Sequence, residues 1–143
     1  MLLVRDVMTP KVKTTNPETT IRVAAGLMLK AKIGSLLILE GGTLLGAVTE
    51  GDVSRAIAKG ADPDKAVVRE VMSKMLVTID PSARMEEAAK KMAGAKVKRL
   101  PVLEDGKVVG IITQTDIVAW SFDLVTSLKE MVRARYRPPD FQP

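Results

Sequence analysis

The chain has 143 residues, of which 46% are hydrophobic and 27% are charged, so it forms one domain or two small half-domains that share a core. It contains no cysteine and no histidine, which excludes disulfides, thiolate nucleophiles, imidazole bases and the usual zinc ligands. The formal net charge of +5 favours, in this order, a solvated basic surface, a phosphate-bearing small ligand and nucleic acid.

The N-terminus and the hydropathy pattern predict neither a signal peptide nor a membrane span. Asp6 interrupts the first apolar residues, and no apolar run approaches the roughly 18 residues that cross a bilayer. We therefore expect a cytoplasmic protein. A single Asn beside abundant Lys, Arg and Glu is typical of a thermophile.

The chain repeats itself at an offset of 64 residues, and residues 4–57 align without a gap with residues 68–121. Identical pairs at this offset include Val4/Val68, Met8/Met72, Pro17/Pro81, Met28/Met92, Gly46/Gly110, Thr49/Thr113 and Asp52/Asp116. Two copies predict a closed pair with pseudo-two-fold symmetry, because a solenoid normally needs three or more repeats. The predicted repeats are residues 1–62 and residues 63–143, the second with a C-terminal helix and tail, and together they form one module.

Each repeat is predicted to begin with a short amphipathic segment and to continue in the order β-α-β-β-α. The segments are Val4–Met8 and Val68–Met72, and the short strands that follow lie near Val12–Thr14 and Leu76–Ile79. Asn16-Pro17 and Asp80-Pro81 then predict turns, because proline disfavours a helical residue before it. The fold class is therefore α+β, with two pseudo-symmetric repeats packed through their sheets.

The central helix of each repeat has an apolar face of small residues at 3.6-residue spacing. That face comprises Ile21, Ala24, Ala25, Met28 and Ala31 in the first repeat, and Met85, Ala88, Ala89, Met92 and Ala95 in the second. Small residues allow a helix to lie close to a sheet. Met8 and Met72, like Met28 and Met92, fit packing positions as well as ligand contacts.

A hairpin follows each central helix, with Leu36–Glu40 and Leu44–Thr49 in the first repeat. The second repeat has Leu100–Glu104 and Val108–Thr113, joined by Asp105-Gly106, a type I′ turn signal. Because these strands are almost wholly apolar, both of their faces are expected to be covered. A second helix then begins at Asp52 or Asp116, and it is predicted to reach Lys59 in the first repeat and about Arg135 in the second.

Each hairpin ends in a Thr-x-x-Asp motif, Thr49 to Asp52 and Thr113 to Asp116. Thr and Asp are good helix caps, which is the simplest explanation of one copy. A carboxylate in this position can also accept two hydrogen bonds from a ribose diol. The Thr hydroxyl and the first amides of the helix can receive a phosphate.

The repeat resembles a cystathionine-β-synthase (CBS) domain, and the tandem resembles a CBS pair, also called a Bateman module. The resemblance covers about residues 4–121 and rests on ordered blocks that occur twice: V-x-x-V-M, T-x-x-P, and LPVLEDGKVVGIITQTD with its weaker copy LLILEGGTLLGAVTEGD. It implies two clefts between the repeats that bind adenosine nucleotides, a regulatory role, and dimerisation through the helices. AMP is the expected ligand, with ADP, ATP or S-adenosylmethionine as alternatives, and no catalytic cofactor or metal is expected.

The resemblance implies a main cleft around Asp116 and a second cleft around Asp52. The residues implied in the main cleft are Met8, Thr9, Lys13, Thr14, Ile33, Gly34, Ser35, Lys98, Arg99, Thr113 and Asp116. Those implied in the second cleft are Thr49, Asp52, Met72, Ser73, Val77, Thr78 and Val97. Lys98-Arg99 matches Gly34-Ser35 at the offset of 64, so the Asp52 cleft is expected to lack a cationic pair and to bind nucleotides more weakly.

Four functional hypotheses follow from the sequence. The first is a nucleotide-binding regulatory homodimer that acts in trans on a partner protein not named by the sequence. The second is an enzyme acting on a nucleotide, which the absence of Cys, His and a Walker motif disfavours. The third is a dimerisation module that binds no ligand. The fourth is a weak nucleic-acid binder that uses the basic segment from Lys129 to Arg137.

Overall fold

The two repeats fold into matching sets of helices and strands. The computed structural model describes residues 1–74, 77–121, 126, 129–130 and 133–134. The first repeat comprises α1 (Val4–Val7), β1 (Thr14–Thr15), α2 (Ile21–Ala31), β2 (Ser35–Glu40), β3 (Thr43–Thr49) and α3 (Glu50–Ala58). The second comprises α4 (Val68–Val71), α5 (Met85–Ala95), β4 (Arg99–Glu104), β5 (Lys107–Thr113) and α6 (Gln114–Trp120). The predicted α+β class and the paired repeats are confirmed.

The predicted hairpins form with the expected turns. Gly41 and Gly42 have φ of 57° and 82°, and Asp105 and Gly106 have φ of 52° and 79°, so both turns have the two positive φ values of a type I′ turn. The strands β2 and β3 pair antiparallel, as do β4 and β5. The turn chemistry therefore sets the register of both hairpins.

Several predicted boundaries differ from the structure. The helices of the Thr-x-x-Asp motifs begin at Glu50 and Gln114, two residues before the Asp, because the Thr side chain caps the helix. The helix α6 ends at Trp120, and most of the predicted extension to residue 135 lies outside the described residues. The first strand of the first repeat is β1, whereas in the second repeat Ile79 forms one parallel bridge with Val102 and Leu76 lies outside the described residues.

The first helix of each repeat packs into the hydrophobic core of the other repeat. Val4 and Val7 are buried against residues of the second repeat, among them Leu100 and Ile112. Val68 is buried in the cluster of the first repeat that contains Ala24, Met28, Leu36, Ile38 and Val48. Each hydrophobic core therefore combines the strands and central helix of one sequence repeat with the first helix of the other.

Backbone pairing reinforces this exchange. Thr9 of the first repeat exchanges two hydrogen bonds with Ile111 of the second, at 2.9 and 3.0 Å. Ser73 and Ala47 do the same at 2.9 and 3.1 Å. The strands β3 and β5 lie against each other, so the ends of both hairpins meet at the centre of the module.

Glycine at the matching positions 46 and 110 has a steric reason at these crossings. A Cβ atom on Gly110 would lie 2.6 Å from Met8 Sδ and 2.9 Å from the Thr9 carbonyl oxygen. A Cβ atom on Gly46 would collide with the Ser73 carbonyl oxygen. Only glycine lets the crossing segment lie this close to the strand.

Ion pairs on the surface also join the two repeats. Arg69 of α4 donates to Glu18 at 2.9 Å and to Glu40 at 2.7 Å. Arg22 donates to Asp64, and this hydrogen bond lowers the pKa of the Asp64 carboxyl. These pairs are exposed, so they add little to stability compared with the buried crossings. Among the described residues, no helix has the length and apolar character needed to cross a membrane.

Candidate functional site

Both Thr-x-x-Asp motifs form reciprocal helix caps. Thr113 Oγ1 accepts from the Asp116 amide at 3.1 Å, and Asp116 Oδ2 accepts from the Thr113 amide at 2.9 Å. Thr49 and Asp52 form the same pair of bonds at 3.1 and 2.8 Å. The capping role considered from the sequence is therefore confirmed, and one carboxylate oxygen of each Asp is committed to it.

The caps leave few helix amides for a phosphate. The Gln114 amide donates to the Lys98 carbonyl at 2.9 Å, and the Glu50 amide donates to the Gly34 carbonyl at 3.1 Å. Three amides at the start of each helix are thus used within the protein. Anion recognition at these motifs must come mainly from cationic side chains.

The first cavity, which we call the Asp116 cleft, has a volume of about 360 Å³ and is walled by both repeats. Its lining residues are Thr9, Lys11, Val12, Lys13, Lys32, Ile33, Gly34, Ser35, Leu37, Arg99, Ile111, Thr113, Thr115 and Asp116. Among the described residues, the cleft combines apolar side chains with four cations and a single carboxylate. Its volume lies within the range of about 300–1,000 Å³ that is common for small-molecule sites.

Eight of the eleven residues predicted for this cleft line it, and three do not. Met8 packs against the hydrophobic core, with its sulfur below Gly110. Thr14 lies on β1, paired with Leu37. Lys98 lines the other cavity instead.

The second cavity, the Asp52 cleft, has a volume of about 660 Å³. Its lining residues are Gly34, Ala47, Thr49, Glu50, Gly51, Asp52, Arg55, Ser73, Val77, Lys96, Val97, Lys98 and Arg99. Of the predicted residues, Thr49, Asp52, Ser73, Val77 and Val97 are among them, whereas Met72 packs on the core of the first repeat and Thr78 lies elsewhere. Met75 and Leu76, which match Lys11 and Val12 of the Asp116 cleft, are outside the described residues.

The expectation that the Asp52 cleft lacks a cationic pair is wrong. Lys98 immediately precedes β4 and Arg99 is its first residue, and the packing of β3 against β5 brings this strand start opposite the motif of the first repeat. In return, Gly34 and Ser35 of the first repeat line the Asp116 cleft. Each cleft therefore takes its motif from one repeat and a strand start from the other.

Arg99 lies between the two clefts and lines both. Its Nε is buried and has no hydrogen-bond partner in the described part of the chain. Its Nη2 lies close to Gly34, 3.9 Å from where a Cβ atom on that residue would be, so the guanidinium is next to a residue that also lines both clefts. A half-buried guanidinium that lines both cavities is suited to an anionic ligand.

The two carboxylates differ in their cationic partners. Asp52 Oδ1 accepts from Arg55 Nη2 at 2.7 Å, and the Asp52 side chain is 16% exposed. The residue that matches Arg55 in the second repeat is Ala119, which cannot form such a pair. Within the residues that the structure covers, no ion pair involves Asp116, so its Oδ1 is accessible to a ligand.

Sequence reasoning missed several lining residues. They are Lys11, Val12, Lys32, Leu37, Ile111 and Thr115 in the Asp116 cleft, and Gly34, Ala47, Glu50, Gly51, Arg55, Lys96, Lys98 and Arg99 in the Asp52 cleft. One signal was available: Lys32 and Lys96 are an identical pair at the offset of 64. Both are left-handed C-cap residues, with φ of 56° and 57°, so they turn the chain into the cleft before β2 or β4.

Only part of the basic C-terminal segment lies within the described residues. Lys129 and Arg133 are described and exposed, whereas residues 135–143 lie outside the described residues. Nucleic-acid binding by this segment stays a prediction from the sequence.

Comparison with known proteins identifies the repeats. The family model described as CBS domain matches residues 4–59 and 68–123. The chain is 37% identical over 118 residues to the CBS domain-containing protein YhcV of Bacillus subtilis, covering 82% of this chain and 84% of that protein. It is 33% identical over 116 residues to an inosine-5'-monophosphate dehydrogenase of Korarchaeum cryptofilum, covering 80% of this chain but 22% of that enzyme.

A solved structure with the same fold contains ligands. It is the CBS domain pair of protein MJ0100 in complex with 5'-methylthioadenosine and S-adenosyl-L-methionine. The TM-score is 0.79 at 28% identity, and the match covers 87% of this chain and 98% of that one. Two family matches in tandem, with the exchanged helices and paired clefts described above, show that the chain belongs to the CBS-domain family and is a pair of CBS domains.

Proposed function

We propose that this CBS pair is a regulatory module that binds an adenosine nucleotide, with AMP as the expected ligand, in the Asp116 cleft. The observation that carries the proposal is the combination in that cleft of an accessible carboxylate, an apolar wall and four cations. Asp116 Oδ1 would accept hydrogen bonds from the ribose diol. Val12, Ile33 and Ile111 would contact the adenine.

The cations favour a ligand with a phosphate over a neutral nucleoside. Lys11, Lys13, Lys32 and Arg99 outnumber the single carboxylate of the cleft. The MJ0100 ligands share the adenosyl group but carry no phosphate, so they support the nucleoside part of the proposal only. ADP, ATP and S-adenosylmethionine are the alternatives that a titration must compare.

Calorimetric titration and thermal melting with these four compounds test the proposal. We expect AMP to bind, and at 100 times its Kd to raise the free energy of unfolding by about 2.7 kcal/mol. Uridine monophosphate, which carries the same phosphate on a different base, is the control for adenine recognition. A melting curve that no adenosine compound shifts would refute the proposal.

The module is proposed to regulate a partner rather than to catalyse a reaction. The chain has no Cys or His to act as a nucleophile or imidazole base. The match to the Korarchaeum dehydrogenase covers 80% of this chain but only 22% of that enzyme, which supports an accessory role. We propose that this chain acts in trans, in the cytoplasm. Release of ADP, AMP or phosphate from ATP during the titration would contradict the regulatory assignment.

We further propose a homodimer, with ligand-independent association as the alternative function. The helices α2 and α3 pack side by side and expose Val23 (54%), Leu27 (39%) and Ile57 (46%). A second copy of the same face would bury these side chains.

Substitution on α2 tests the dimer. Leu27→Glu is expected to give a monomer in sedimentation velocity, because it places a charge in the apolar face. Leu29→Glu is the matched control, since Leu29 is 81% exposed and lies two residues away, on the opposite side of the helix. If both variants sediment like the wild-type protein, this face is not the dimer interface.

A further inference from the structure

The two clefts differ in how their motif carboxylate is occupied. In the Asp52 cleft both carboxylate oxygens have partners, because Oδ2 accepts from the Thr49 amide at 2.8 Å and Oδ1 accepts from Arg55 at 2.7 Å. A ribose diol that enters this cleft must compete with a guanidinium. In the Asp116 cleft the matching position is Ala119, and no cationic side chain in the described part of the chain forms an ion pair with Asp116.

Space above the first turn of α3 lets Arg55 fold back onto Asp52. A Cβ atom on Gly51 would lie 3.2 Å from Arg55 Nη1 and 3.4 Å from Nη2. The residue that matches Gly51 in the second repeat is Thr115, whose side chain would crowd a guanidinium in this position. The first repeat therefore has both the arginine that pairs with Asp52 and the glycine that leaves space for it. The second repeat has Ala119 and Thr115 at the matching positions.

The rest of the Asp52 cleft is rich in cations. Lys96, Lys98 and Arg99 face Arg55 across a cavity of about 660 Å³, almost twice the volume of the Asp116 cleft. The opposing charges that line it are Glu50 and Asp52. A ligand with several negative charges would draw Arg55 away from Asp52, and the released carboxylate would then accept the ribose.

We propose that Arg55 makes the Asp52 cleft selective for nucleoside polyphosphates, so that the two clefts bind different nucleotides. This inference rests on the proposed function, since it assumes that the module binds adenosine compounds. A neutral nucleoside cannot displace Arg55, whereas a triphosphate offers the guanidinium a stronger anionic partner than Asp52. Arg55 is a specificity-determining residue in this arrangement.

Methyl NMR of the full chain can follow the two clefts separately. Ala47 lines the Asp52 cleft and Ile111 lines the Asp116 cleft, so their methyl signals report on different sites in one titration. Adenosine, AMP and ATP are each titrated into the wild-type protein, in which both clefts are intact. We expect the Ala47 signal to report binding of ATP at least about 10-fold tighter than binding of adenosine, the effect of one charge-assisted contact.

Arg55→Ala, which introduces the residue found at the matching position 119, should reduce this ATP-to-adenosine ratio by about 10-fold. Lys59→Ala is the matched control, because Lys59 follows α3, is exposed and does not line the cleft. Arg55→Lys keeps the positive charge but loses the planar guanidinium. Its ATP-to-adenosine ratio should lie between those of the wild-type protein and Arg55→Ala.

The outcomes separate this proposal from the proposed function. An unchanged ratio in Arg55→Ala, or an Ala47 signal that never responds while Ile111 responds, overturns the selectivity of the Asp52 cleft and leaves the nucleotide module intact. If neither methyl signal responds to any of the three compounds, the proposed function itself fails. A preserved two-dimensional methyl spectrum shows that each variant is folded.

Discussion

Asp116→Ala is expected to weaken AMP binding by about 10- to 100-fold. Its Oδ1 is the carboxylate oxygen that the helix cap leaves accessible in the Asp116 cleft. Hydrogen bonds to a charged group contribute about 1.5–3 kcal/mol each, and 1.4 kcal/mol corresponds to a tenfold change in affinity. Calorimetric titration with AMP measures the effect.

Asp52→Ala is the matched control for this variant. It removes the same capping box from the matching helix, so both variants should lose roughly 1 kcal/mol of stability. Only Asp116→Ala also removes a carboxylate oxygen that is accessible to the ligand. Melting temperatures will show whether the two variants are equally folded. The assignment of the main cleft is wrong if Asp52→Ala abolishes AMP binding and Asp116→Ala leaves it intact.

The structure changes the reason for choosing the Asp116 cleft. The sequence comparison favoured it because Lys98 and Arg99 were expected there alone. Lys98 lies in the Asp52 cleft, and Arg99 lies in both. The preference now rests on Arg55, which occupies the carboxylate of the Asp52 cleft.

Arg99→Ala is expected to weaken nucleotide binding about 10-fold in both clefts. The Arg99 side chain lines both cavities, so its guanidinium would donate a charge-assisted hydrogen bond to a phosphate bound in either cleft. The methyl signals of Ala47 and Ile111 measure the two affinities in one sample.

Lys98→Ala distinguishes an effect of direct contact with Arg99 from an effect of losing one positive charge near the clefts. Lys98 is the preceding residue and carries the same charge, but it lines the Asp52 cleft only. Its removal should therefore leave the Ile111 titration unchanged. Equal losses in the Asp116 cleft for Lys98→Ala and Arg99→Ala would show that long-range charge, rather than contact with Arg99, governs the affinity.

Local features of the fold were predictable from the sequence. Gly41-Gly42 and Asp105-Gly106 specify hairpin turns because they accept positive φ. Of the predicted apolar faces, Ala24, Met28, Ala88 and Met92 are buried, whereas Ala95 at the end of α5 is exposed. Each of these signals depends on residues within a few positions of one another, so the sequence records them directly.

The placement of residues between the repeats was less predictable. The duplication shows that Lys98 and Arg99 match Gly34 and Ser35, but a repeat offset does not say which copy faces which cleft. Met8 likewise fits a packing position or a ligand contact in the sequence, and the structure places its sulfur below Gly110.

The sequence by itself determined the repeat, its helices and hairpins, the two capped motifs and the family resemblance. Only the tertiary structure decided that α1 and α4 exchange between the cores, that Lys98 leaves the Asp116 cleft, and that Arg99 lies between the clefts. The physical reason is the range of the interactions. Turns and caps depend on nearby backbone geometry, whereas the clefts depend on how the apolar faces of distant segments bury one another.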